Sequence, residues 1–217
     1  MTNPDARGRR RAVVVAGHEG PVAVARAGLG DGDAKVRAAA LGALARLGHL
    51  EATDVAAALA DGDPGVRRRA CELATDHPEI DLGPALADHE PPVVEAAAWA
   101  LGEQGHRAGP AVPSLVAVAT GHPDPLCREA AVAALGAIGH PGGAPAVVAA
   151  AGSERVAVRR RAVVALAGLE GPAVEAALRA ATADRDRQVR QAAGELLGEG
   201  PERSRRPAGR GPGGGAR

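Results

Sequence analysis

A motif of about thirty residues is repeated along the chain, and this repetition limits the folds that the chain can adopt. In six copies an anchor residue is followed four positions later by Ala and, in five of them, eight positions later by Leu. These offsets fall on one side of a helix, so each copy predicts an amphipathic helix. An incomplete copy precedes them at residues 9–20. The six anchors are Val36, Val66, Val93, Cys127, Val158 and Val189.

Each copy also carries the signals that begin and end a helix. Asp comes before the helix in most copies, where its carboxylate can accept backbone N–H groups. Pro64, Pro91 and Pro125 take the first helical position, which needs no N–H donor. A second, less regular apolar segment precedes each anchor helix, except that residues 79–87 are short and contain Pro, so the third copy is expected to be distorted. The anchor helices are predicted to stop at Gly48, Gly105 and Gly139.

The composition excludes a fold centred on a β-sheet. The chain has 53 Ala but only two Ile, one Trp and neither Phe nor Tyr, so it lacks the residues that fill sheet cores. Alanine favours helices and lets them pack closely. Because one helical hairpin cannot bury its own apolar side, the copies are expected to stack on one another.

The repeated pattern D-x-D-x-x-V-R-x-x-A-x-x-A-L resembles the short HEAT-like repeats of the phycobilin lyase family. The resemblance covers residues 9–200 and implies an all-α, right-handed, armadillo-like α-solenoid of about six helical hairpins. It also implies that the second helix of each hairpin lines the concave side. Residues 1–8 and the Pro/Gly/Arg-rich residues 201–217 are expected to be disordered.

An arginine directly follows the anchor in most copies, and its recurrence calls for an anionic partner. A cation in the first turn of a helix is disfavoured by the helix dipole, so we expect the cap aspartate of the same or a neighbouring repeat to pair with it. The resemblance implies an Asp–Arg ladder of this kind. Two rungs should be missing, because Val94 replaces the arginine and Arg155 replaces a cap aspartate. The ladder is predicted to contain Asp33, Arg37, Asp63, Arg67, Asp124, Arg128, Arg159, Asp186 and Arg190.

No catalytic, metal or cofactor site is predicted. His49, His106 and His140 recur thirteen positions after an anchor, so they are expected in separate turns, too far apart to bind one metal ion. The His-Glu pairs that deoxyhypusine hydroxylase carries near the start of its inner helices are absent from the corresponding positions. Cys71 and Cys127 are expected to be free buried thiols in a reducing cytoplasm.

The exposed side of the second helices is the candidate binding surface. Trp99 is expected on it, one turn from Glu95 and Glu103, either as a binding hot spot or as a plug over the distorted third repeat. The pattern predicts an acidic centre between basic flanks, either for a partner of complementary charge or as ordinary solvated helix faces. The candidate residues are Trp99, Glu95, Glu103, Glu129, Arg68 and Arg160.

These features favour a non-enzymatic, monomeric, cytoplasmic scaffold that binds another protein in its concave groove, with no membrane contact. A second hypothesis, from the resemblance, is a lyase-like subunit or chaperone that acts on a tetrapyrrole-bearing protein. The scarcity of aromatic side chains to stack on a tetrapyrrole argues against it. A third is nucleic-acid binding, which the 17 basic and 24 acidic side chains of residues 13–200 disfavour.

Overall fold

The structure, a computed structural model, describes residues 5–198. Within this range the chain forms twelve α-helices and no β-strand. Seven helices carry the repeated motif or its incomplete first copy and are called the second helices: α1 (Ala6–Glu19), α3 (Ala34–Arg46), α5 (Pro64–Leu73), α6 (Pro91–Gln104), α8 (Pro125–Ile138), α10 (Val156–Leu166) and α12 (Arg187–Leu196). The others are the first helices: α2 (Val22–Gly28), α4 (Ala52–Leu59), α7 (Val112–Gly121), α9 (Ala144–Ala151) and α11 (Pro172–Ala181).

The second helices stack in chain order, each in contact with the second helix before it and the one after it. The first helices pack beside the second helix of their own hairpin. All six anchors are buried at matching positions in the stack. The all-α solenoid that the repeat predicts is therefore confirmed. Of the terminal segments expected to be disordered, residues 1–4 and 201–217 lie outside the described residues. Residues 6–8 differ from the expectation, because they form the start of α1.

The second helices begin and end largely where the motif indicates. The side chains of Asp33, Asp63, Asp124 and Asp186 each accept the backbone N–H two residues later, at 2.7 to 3.0 Å. These contacts satisfy helical N–H groups that have no carbonyl partner. Gly48, Gly105 and Gly139 have φ values of 69°, 58° and 68°, which end the helix as predicted.

The third repeat is distorted, as the Pro-containing sequence predicts. Its first helix is replaced by irregular chain and a short 3-10 turn, Pro84–Ala87. Leu82 and Leu86 from this segment are buried and supply the apolar side chains that a first helix would contribute. The core therefore continues through the third repeat although one helix is missing.

A ladder of arginines and aspartates joins consecutive repeats. Nε and Nη2 of Arg37 donate to both carboxylate oxygens of Asp61 in the next repeat, each at 2.7 Å. The same two-point contact recurs between Arg9 and Asp31, Arg67 and Asp88, and Arg159 and Asp184. Nη1 of Arg37 also donates to the backbone carbonyl of Asp31, six residues earlier, at 2.8 Å. Arg67 and Arg159 make the same backbone contact, so these three arginines each fix the turn of their own repeat and the start of the next.

The partner within this ladder differs from the prediction. Arg37 and Arg67 bond the aspartate two residues before the cap, Asp61 and Asp88, instead of the predicted cap aspartates Asp33 and Asp63. The physical reason is that a cap carboxylate is directed along its own helix to accept N–H groups. Asp124 likewise caps α8. Asp186 does bond an arginine, but this is Arg160 and not Arg159 or Arg190.

The ladder is interrupted in the middle of the solenoid. Val94 stands in the arginine position of α6, and His122 stands in the aspartate position of the next repeat, where its Nδ1 accepts the N–H of Asp124 at 3.1 Å. Arg128 of α8 donates to the carbonyls of His122 and Pro123, and within residues 5–198 it has no carboxylate partner. Arg190 donates to the carbonyl of Asp184.

In the part of the solenoid where the ladder is interrupted, glycines allow neighbouring second helices to approach closely. A Cβ atom on Gly102 of α6 would lie 3.2 Å from the Cα of Ala134 in α8. A Cβ atom on Gly136 of α8 would lie only 2.5 Å from both Cα and Cβ of Ala165 in α10. Only glycine allows so close an approach, so the backbones of α8 and α10 pack directly on each other.

The ladder arginines lower the pKa of the aspartates that they bond. Hydrogen bonds from Arg9 lower the pKa of Asp31 to about 2, and those from Arg67 and Arg159 lower the pKa of Asp88 and Asp184. A carboxylate with a lowered folded-state pKa stabilises the fold above its unfolded-state pKa, and this contribution disappears as the pH falls through the folded-state value.

We expect Arg67→Gln to reduce the free energy of unfolding by about 1–2 kcal/mol at pH 7, because Asp88 loses its charged donors. The difference from wild type should shrink as the pH falls below about 4, because Asp88 becomes protonated. Urea unfolding followed by circular dichroism at several pH values measures both effects. The matched control is Arg161→Gln, since Arg161 makes no ion pair within residues 5–198. A control as destabilised as Arg67→Gln would contradict the ladder.

We expect Gly136→Ala to lower the free energy of unfolding by roughly 1–3 kcal/mol, because the added methyl group overlaps Ala165. Gly194→Ala in α12 is the control, since no atom lies within 4 Å of its Cβ position. Alanine there should leave stability unchanged or raise it by up to about 1 kcal/mol through helix propensity. Chemical denaturation of both variants checks the prediction, and equal stability of the two would refute direct backbone packing at Gly136.

Candidate partner-binding surface

The exposed side of the second helices forms one surface, called here the second-helix face. It consists mainly of residues two, three and six positions after each anchor, which are not buried in the stack except where they are small. Because the second helices are in contact in chain order, residues of neighbouring repeats are neighbours on this face. The predicted residues lie on four consecutive helices of the stack: Arg68 on α5, Glu95, Trp99 and Glu103 on α6, Glu129 on α8, and Arg160 on α10.

Trp99 projects from the middle of this face and is 48% exposed. It lies outside the apolar core that includes Leu82 and Leu86. Those two leucines fill the apolar side of the distorted third repeat. An exposed tryptophan leaves a large apolar side chain in water, which a bound partner would cover.

Three carboxylates share the second-helix face with Trp99. Glu95 and Glu103 are exposed on α6, one turn before and after Trp99, and Glu129 is half-buried on α8. Within residues 5–198 none of the three forms an ion pair, whereas many other charges of the molecule are paired. The centre of the face therefore keeps its negative charge.

The flanks of the face are less charged than the sequence suggests. Arg68 donates to Glu72 at 2.8 Å, and Arg160 donates to Asp186 at 2.6 and 2.9 Å. Both predicted basic residues are thus internally paired, so each has less charge to offer a partner than an isolated arginine. Arg160 also ties α10 to the start of α12, which gives it a structural contact that the sequence did not indicate.

Arg46 also lies on this face, although it is not among the residues predicted from the sequence. Arg46 is exposed at the end of α3, and its guanidinium group lies over the glycines at 17 and 42. The only signal in the sequence is the glycine at position 42, where other repeats carry Glu72, Trp99 or Val164. A glycine there leaves room for a long side chain from the same helix or from a neighbouring one.

Residues 5–198 contain neither a cluster of potential metal ligands nor an activated thiol. No cluster of three or more His, Cys, Asp or Glu side chains could hold a metal ion within residues 5–198. Cys71 and Cys127 are free and buried, and burial raises the pKa of their thiols to about 12 and about 11. Thiols with such pKa values remain protonated near pH 7 and are poor nucleophiles. None of the helices in this range combines the length and apolar character needed to cross a membrane.

Comparison with known proteins places the chain in a family. The HEAT-repeat family matches residues 79–167 and, in an overlapping match, residues 112–198, which together exceed half of the chain. A search of curated proteins found no match.

Solved structures show the same fold. The CpcE–CpcF complex of phycocyanin lyase from Nostoc sp. PCC7120 is 28% identical, with a TM-score of 0.56 over 83% of this chain and 78% of that chain. YibA of Escherichia coli is 15% identical, with a TM-score of 0.58 over 91% and 75%. A designed armadillo repeat protein in complex with the peptide (KR)4 is 15% identical, with a TM-score of 0.57 over 91% and 95%.

These matches agree with the stack of second helices and with the motif that builds it. The chain therefore belongs to the HEAT-repeat family, as the repeated motif predicted, and it resembles the HEAT-like repeat proteins of phycocyanin lyase.

Proposed function

We propose that this protein is a non-enzymatic scaffold that binds a segment of another protein on its second-helix face, with Trp99 at the centre. HEAT and armadillo-like repeats suggest a protein-interaction scaffold, and repeats of this kind provide long continuous surfaces for partners. The observation that carries the proposal is one exposed tryptophan among three carboxylates that have no ion-pair partner within residues 5–198.

The chemistry of this centre favours a basic partner segment. A tryptophan ring attracts guanidinium and ammonium groups over its face, and neighbouring carboxylates can bond the same groups. Glu95 and Glu103, one turn either side of Trp99, give a cation two acceptors beside the ring. An extended chain carrying Arg or Lys would bury the exposed ring and neutralise the carboxylates, which gives both affinity and charge selectivity.

The designed armadillo repeat protein was solved with the peptide (KR)4, so a solenoid of this fold can hold a chain of alternating Lys and Arg. The likeness to that protein concerns the fold alone. The residues that would bind a basic chain here are this protein's own.

We also propose that the scaffold is monomeric and cytoplasmic. The two cysteines are free and buried, as is common in proteins that function in a reducing compartment.

A lyase-like subunit or chaperone for a tetrapyrrole-bearing protein is the second candidate, and the 28% identity to the phycocyanin lyase complex favours it. Trp99 is the only aromatic side chain that could stack on a tetrapyrrole. If this candidate holds, adding the protein to a free bilin should change the absorbance spectrum of the bilin, and Trp99→Ala should reduce the change. An unaltered spectrum at saturating protein would dismiss it.

For the scaffold, we expect Trp99→Ala and Glu95→Lys each to weaken binding of a basic peptide by about tenfold or more, because they remove the ring and reverse a central charge. The probe is a fluorescein-labelled peptide of alternating Arg and Ser, and the measurement is fluorescence anisotropy at low and high salt.

Two matched controls test whether the losses of binding are specific to Trp99 and Glu95. Val164→Ala truncates an exposed side chain at the equivalent position of α10, and Glu175→Lys reverses a charge on α11, away from the face. Both should bind the peptide as wild type does. Equal binding by Trp99→Ala, Glu95→Lys and wild type would overturn the proposed surface.

A further inference from the structure

Two guanidinium groups from neighbouring repeats converge on one point of the second-helix face. A Cβ atom built on Gly42 of α3 would lie 2.8 Å from Nη2 of Arg69 and 3.5 Å from Nη1 of Arg46. Arg69 belongs to α5 and Arg46 to the last turn of α3. Both side chains therefore reach the same place above the backbone of α3.

Glycines on two adjacent helices make this convergence possible. A Cβ atom on Gly17 of α1 would lie 2.7 Å from Nη2 of Arg46, so the guanidinium group of Arg46 extends across α1 and α3. Any larger residue at either glycine would occupy the space that a guanidinium group now fills. The two glycines thus determine where the guanidinium groups of Arg46 and Arg69 lie.

The positive charge at this point is only partly neutralised. Arg69 donates to Glu72 at 2.8 Å, but Glu72 also accepts from Arg68 at 2.8 Å, so one carboxylate serves two arginines. Arg46 is exposed and forms no ion pair within residues 5–198. Like charges held close together repel, and an anion between them removes this cost.

We propose that Arg46 and Arg69 form a carboxylate-binding site for an acidic residue of the same partner segment whose basic residues bind at Trp99. This inference rests on the proposed function and specifies its partner further. The two sites are continuous, because α3 packs on α5 and α5 packs on α6. Adjacent helices lie about 8–10 Å apart, so an extended partner chain separates its acidic and basic residues by roughly three to six positions.

The experiment compares three labelled peptides by fluorescence anisotropy with the full chain. One carries only a block of alternating Arg and Ser. The other two carry the same block with three glutamates placed four Gly/Ser residues before it or after it. We expect one of the two glutamate peptides to bind wild type about five- to tenfold more tightly than the purely basic peptide.

Arg46→Gln should abolish this gain while leaving binding of the purely basic peptide unchanged or stronger, because only the anion site loses charge. Gly42→Ala should reduce the gain without changing any charge, since the methyl group displaces the Arg69 guanidinium. Arg161→Gln, which removes an exposed arginine of α10, is the control and should keep the full gain. Thermal unfolding confirms that each variant is folded, and Arg46→Gln changes only an exposed side chain.

The outcomes separate this site from the proposed function. If wild type binds the basic peptide but gains nothing from the glutamates, the carboxylate site is wrong and the Trp99 surface stands. If a glutamate peptide binds and the basic peptide does not, the carboxylate site stands and the basic partner is wrong. A gain that persists in Arg46→Gln also overturns the site, and failure of all three peptides overturns both.

Discussion

The contact between one second helix and the next is the interaction on which the rest of this structure depends. A hairpin of two short, alanine-rich helices has too little apolar side chain to form a core alone, so its burial comes from the hairpins on either side. The anchors from Val36 to Val189 are all buried by this stacking, although none is larger than valine. Small side chains allow the helices to pack closely, and close packing requires that the distance between repeats be set accurately.

Two kinds of contact set this distance. At both ends of the solenoid, arginines such as Arg37 and Arg159 bond a carboxylate of the next repeat through two nitrogens. In the middle, where Val94 ends the ladder, glycines at 102 and 136 let the backbones meet directly. Both kinds of contact occur together in the first repeats, where Arg9 of α1 bonds Asp31 in the turn before α3 and Gly17 of α1 approaches Ala43 of α3 closely. Close backbone packing thus joins the repeats in the middle of the solenoid, whereas ion pairs also join them at the ends.

Much of this fold could be predicted from the sequence because its rules are local or strictly repeated. Asp caps, glycine stops and the anchor pattern each act within one helix, and the structure confirms them. The predicted partner of the ladder arginine was wrong by two residues, because each turn offers two acidic residues and the one at the cap is directed along its own helix to accept N–H groups. The convergence of Arg46 and Arg69 could not be predicted, since it joins residues of different helices over a glycine of one of them.

The interruption of the ladder and the candidate binding centre fall on the same helices, and one sequence change connects them. The first turn of α5 reads Arg67, Arg68, Arg69, whereas the first turn of α6 reads Val94, Glu95, Ala96. Replacing those arginines removes the ladder contact and puts a carboxylate, Glu95, at the position that Arg68 takes in α5. Val94 is buried and uncharged, whereas the carboxylate of Glu95 is exposed to solvent one turn before Trp99. The local loss of an inter-repeat ion pair therefore leaves the acidic centre available to a cation from outside the chain.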